Sequence, residues 1–107
     1  MSVLEAMGPL GLSTLVEAAA AENVVVVAAV AGKRIRGLCA VISSSTGAVV
    51  SFHQGGGTAS GNLIIGANQT LTIPPAVFGW GDTDAGSPLL MNCTGAVSGF
   101  VRYQTID

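Results

Sequence analysis

The sequence predicts an all-β protein, an antiparallel β-sandwich of seven to eight strands behind an N-terminal arm or short helix. Three observations carry this. From Asn23 onward the chain breaks into short runs that are either continuously apolar or alternate apolar and polar residues. Gly, Ser, Asn, Asp and Pro clusters punctuate those runs about every eight to twelve residues. No 3.6-residue apolar period runs between them, so helices do not separate the strands. Strands in direct succession with turn chemistry between them describe a sandwich of the jelly-roll kind.

The first 22 residues, "MSVLEAMGPLGLSTLVEAAAAE", form a segment apart from the sandwich at 23–107. Thr14 and Glu17 have the capping-box spacing and predict about two helical turns through "LVEAAAAE". Gly8, Pro9 and Gly11 support an extended arm instead, and an arm followed by one helix satisfies both. Neither form has enough internal contacts to stand alone. Leu4, Met7, Leu10, Leu12, Leu15 and Val16 are therefore expected to bury against a neighbouring chain.

The strands follow in order. "VVVVAAVA" at 24–31 is continuously apolar, and Ala31, Gly32 and Lys33 make a turn. "KRIRGLCAVIS" returns from it, with Ile35, Gly37, Cys39 and Val41 on one face and Arg34, Arg36, Leu38 and Ala40 on the other. "GAVVSFHQ", "NLIIGA", "QTLTIP", "PLLMNCT" and "GAVSGFVRYQTI" complete the set. Arg34 and Arg36 point the same way at a strand end. They either stay solvated and guard that end or meet a carboxylate on a neighbouring subunit or partner.

Composition narrows the function. The 107 residues make one domain with one core. A net charge of -2 supplies no global field toward nucleic acid or an anionic membrane. The longest apolar run, eight residues from Val24 to Ala31, falls well short of the roughly 20 that span a bilayer. Glu5, with no Lys or Arg near it, does not fit the basic start of a signal peptide, so folding in a cytosol is expected. Charged residues are 9% of the chain and apolar ones 50%, a surface too sparsely charged for an isolated monomer. A homo-oligomer is expected, with a trimer favoured over a dimer.

Chemistry-bearing motifs are few, and no cofactor or metal is called for. His53 is the sole histidine, and no nucleophile motif frames it. "QGGGTASGN" lacks the Lys-Ser/Thr ending of a phosphate loop. Asp82 and Asp84 in "GDTDAG" start like a calcium loop, but its later ligands are missing. Cys39 and Cys93 alternate with apolar neighbours and read as buried thiols. "IPPAVFGW" sets Phe78 and Trp80 between a Pro pair and a polar turn. Those rings either plug an open end of the sandwich, pack on a neighbouring subunit, or stack on a sugar. No enzyme is expected.

The succession "VVVVAAVAGKRIRGLCAVI", "GNLIIGANQTLTIPPAVFGW" and "TDAGSPLLMNCTGAVSGFVRY" resembles small auxiliary virion proteins of tailed bacteriophages. It is similar in particular to the jelly-roll decoration, or cement, proteins of their capsids. The resemblance implies a non-enzymatic role, binding across neighbouring subunits of a major capsid protein and stabilising the shell. It also implies a virion location after assembly in the host cytoplasm. A receptor- or glycan-binding knob of a fibre or tail is the alternative, followed by a carbohydrate-binding module.

Overall fold

A computed structural model describes residues 12–54, 60–73 and 82–106. Among them no helix forms, and eight strands build two antiparallel four-stranded sheets. The strands are β1 Leu12–Ala18, β2 Ala21–Val27, β3 Arg34–Ser44, β4 Ala48–His53, β5 Leu63–Ile65, β6 Gln69–Ile73, β7 Leu89–Cys93 and β8 Val97–Ile106. One sheet has the order β1-β8-β3-β6 and the other β2-β7-β4-β5. We call them the first and second sheet.

The pairings explain that order. β1 pairs β8, β2 pairs β7, β3 pairs β6 and β4 pairs β5, as in one long ribbon folded back at the β4–β5 connection. Rolling that ribbon adds the β3–β8 and β4–β7 pairs and closes two sheets over one core. This is jelly-roll topology. Phe52, Ile35, Ile42, Leu89, Met91, Val50 and Val101 fill the space between the sheets and are fully buried. Phe52 and Met91 are direct cross-strand partners there.

All seven strands expected from the sequence are present, and the eighth forms where a short helix or an extended arm was expected. Residues 12–18 form β1, in register with β8 from Leu12 opposite Tyr103 to Ala18 opposite Val97. Val16 is buried and Thr14 and Ala18 are half-buried, while Leu15 and Glu17 are exposed. That period of two lets the segment satisfy its backbone on β8, whereas two isolated helical turns are marginal. β2 starts at Ala21, so the boundary drawn between residues 22 and 23 falls inside a strand. Its register shifts twice, and Asn23 takes φ 57°.

The turn at Gly32 is where the sequence put it. Lys33 N–H donates to the Val30 carbonyl at 3.0 Å, with Gly32 at φ 73° in the third position, as a type II turn requires. It carries the chain from the second sheet to the first, so β3 does not return along β2. β3 itself is bulged between Gly37 and Cys39. Before the bulge Ile35 and Gly37 face inward; after it Ala40, Ile42 and Ser44 do. Cys39 and Val41, expected on the face of Ile35, are thereby turned to the outer surface, half-buried.

Candidate functional site

Three side-chain rows cross the outer face of the first sheet. Register places Glu17, Ser98, Ser43 and Thr70 in one row, strand by strand. The next holds Leu15, Phe100, Val41 and Thr72, and the third holds Ser13, Arg102 and Cys39. A polar row, a largely apolar row and a row with a cation therefore follow one another down the face. Leu15 is 86% exposed, an unusual position for a leucine at mid-strand. Arg102 stands on an inner strand, half-buried, and its Nε is buried without a hydrogen-bond partner. A charged donor left in that condition costs on the order of 1–3 kcal/mol.

The chain's other two arginines gather at one carboxylate. Arg36 Nε and Nη2 donate to the two carboxylate oxygens of Asp82 at 2.8 and 3.1 Å, and Arg34 Nη1 lies 3.9 Å away. The hydrogen bond from Arg36 holds the Asp82 carboxyl below its ordinary range, opposed by burial and helped by the charges of both arginines. Asp82 bridges Arg36 as a one-residue strand, so the carboxylate sought on a neighbouring subunit lies in the same chain. Asp84 is engaged separately, its N–H donating to Gln54 Oε1 at 2.6 Å. Among the described residues no three of His, Cys, Asp and Glu gather as a metal site would require.

At the end where β1–β2, β3–β4, β5–β6 and β7–β8 connect lies a hollow of about 700 Å³. Glu17, Ser43, Ser45, Asn68, Thr70 and Ser98 give it a wall of hydroxyls, amides and one carboxylate. Ser43 and Thr70 share a hydroxyl hydrogen bond of 2.9 Å on that wall. Below it the buried Ser44 hydroxyl donates to the Ala96 carbonyl at 2.7 Å and accepts from Gly47 N–H at 3.0 Å. One side chain thus ties two inter-sheet connections and fixes the rim.

The remaining expected site residues are dispersed. Val16, expected with Leu12 and Leu15 to bury against a neighbouring chain, is 3% exposed in the core of its own, because the strand period turns it inward. Leu12 and Leu15 stay on the surface. Leu4, Met7, Leu10, Phe78 and Trp80 lie outside the described residues. His53 ends β4 on the outer face of the second sheet, Nε2 3.1 Å from Asn92 Oδ1. Asn23 N–H donates to the same oxygen at 2.8 Å, which identifies it as an acceptor and puts the proton on His53 Nε2. Cys93 is buried and Cys39 is not, and neither is in a disulfide. Sequence reasoning passed over Glu17 and Arg102. The alternation Ser98, Phe100, Arg102 held the signal for the second, a cation sharing one strand face with an aromatic ring.

Compared with protein-family models, curated proteins and solved structures, the chain shows no significant match.

Proposed function

We propose that this chain is a non-enzymatic structural protein that works by bridging neighbours, a decoration protein on the capsid of a tailed bacteriophage. One observation carries the bridging role: large apolar side chains stand in solvent on both outer faces of the sandwich. Leu15 does so on the first sheet, and Val25 and Ile64, 60% and 78% exposed, on the second. A module that joins subunits needs two such faces; an enzyme or a simple receptor knob needs one. Scarce surface charge supports the same reading. The capsid setting rests on the sequence resemblance, and a jelly roll is one of the folds virion proteins use.

Co-sedimentation with undecorated shells of a tailed phage tests this. The wild type is expected to saturate a fixed number of sites, and Val25→Lys with Ile64→Lys to weaken binding by about tenfold or more. Absence of wild-type binding to any such shell overturns the capsid setting. The polar hollow favours glycan binding as the second reading, because hydroxyls and amides around a carboxylate suit a sugar's hydroxyl groups. Saturable binding on a glycan array, lost in Ser43→Ala with Thr70→Val, would move that reading ahead.

A further inference from the structure

We propose that a second copy of this chain docks face to face on the first sheet, pairing Glu17 of each protomer with Arg102 of the other. The order of the three rows carries this. A two-fold axis lying in the interface along the Leu15–Phe100–Val41 row maps that row onto itself. It exchanges the rows on either side, so the Glu17 row of one protomer lies over the Ser13–Arg102 row of the other. Apolar side chains meet at the centre, and two symmetric ion pairs flank them.

The dimensions fit. Stacked sheets lie about 10 Å apart, a gap that an outstretched arginine and glutamate close together. Glu17 on β1 and Arg102 on adjacent β8 are offset by one strand, about 4.8 Å, within the swing of the arginine stem. Arg102, its Nε buried without a partner in the free chain, meets that carboxylate by lifting its guanidinium off the sheet, and Leu15 leaves water. An unrelated partner would have to supply both complements; this chain already carries them at mirrored register. The contact is small: four strands by seven residues cover roughly 19 by 23 Å. That is below the roughly 800 Å² per partner of stable complexes, so the dimer is expected to dissociate at about 10–100 μM. The pairing takes the first sheet, one of the two faces on which the bridging reading rests, and leaves Val25 and Ile64 on the second sheet free for the shell.

Sedimentation of the full chain at low salt, from about 5 μM to 1 mM, reads the association. Arg102→Glu alone and Glu17→Arg alone are each expected to weaken it by about tenfold or more, through two like-charge contacts. Mixing the two variants in equal amounts faces opposite charges at both contacts, and a heterodimer of near wild-type affinity is expected. Circular dichroism confirms that each variant is folded. Should Arg102→Glu not fold, Leu15→Cys in a Cys39→Ser background gives an independent readout. Its two sulfurs lie across the axis, and a short bismaleimide should link them into a dimer. A wild type that stays monomeric at 1 mM overturns the proposal. So does a dimer indifferent to both charge reversals, a mixture no tighter than its components, or failure of the Leu15→Cys cross-link.

Discussion

At the scale of single residues, Thr83 shows how a polar side chain organises the loop before β7. It is 2% exposed. Its N–H donates to the Ile35 carbonyl at 3.0 Å, and its Oγ1 accepts from Ile35 N–H at 2.9 Å. The loop is thereby clamped on the first turn-end residues of β3, next to the Arg36–Asp82 pair. Thr83→Val keeps the volume and the backbone bond but removes the acceptor, leaving a buried N–H unpaired. The expected cost is about 1–3 kcal/mol. In a domain of this size that lowers the melting temperature by roughly 4–8 °C per kcal/mol. Thr83→Ser, which keeps the hydroxyl, should lose much less; equal losses in the two variants would show that packing, not the hydrogen bond, is at work. None of this was legible in "GDTDAG", where Thr83 is one polar residue between two acids. A long-range acceptor role is a matter of which segment the loop lies on, and local sequence does not encode that.

At the scale of elements, β3 separates what periodicity reveals from what it hides. The alternation of Ile35, Gly37, Cys39 and Val41 is real in the sequence, and its first half is real in the fold. The bulge at Leu38 then shifts the frame by one, and every later side chain changes face. An apolar strand such as "GLCAVI" carries no marker for that slip, since either frame buries apolar groups. β1 was hidden differently: Thr14, Val16 and Ala18 alternate with polar Ser13 and Glu17, but the alanines that follow imitate a helix. The later strands were legible because Gly, Pro or Asn stands beside most of them, although Asn23 proved to lie inside β2 and not before it. The slip in β3 has a chemical consequence. Cys39 is half-buried on an outer face, whereas Cys93 is buried with its thiol 3.2 Å from the Ala19 carbonyl. A thiol reagent added to the native protein should modify Cys39 at least about tenfold faster than Cys93. Mass-spectrometric mapping of the label checks this, and comparable rates would put Cys39 back inside.

At the scale of the molecule, the rolled ribbon makes the two ends of the chain interdependent. Among the described residues β1 is the only partner of β8 on its outer side, and β8 also holds β3, so the first sheet is closed by the earliest of them. Two truncations separate this role from that of the preceding segment. Removing residues 1–11 keeps every residue of the eight described strands and should leave a cooperative unfolding transition. Removing residues 1–22 deletes β1, takes Val16 out of the core and cuts into β2. Loss of one buried valine costs about 1.5–3 kcal/mol. Seven residues from Val97 to Tyr103 lose their pairing as well, leaving β8 an open edge beside an uncovered core. Together these approach the roughly 5–15 kcal/mol that separates a folded domain from its unfolded chain. The fragment 23–107 is therefore expected to lack a cooperative transition and to aggregate through that edge, while 12–107, which keeps β1, retains one. Circular dichroism melts and amide dispersion in NMR spectra distinguish the two. A cooperative 23–107 with a midpoint within a few degrees of the full chain would mean that β1 decorates the sandwich without holding it together.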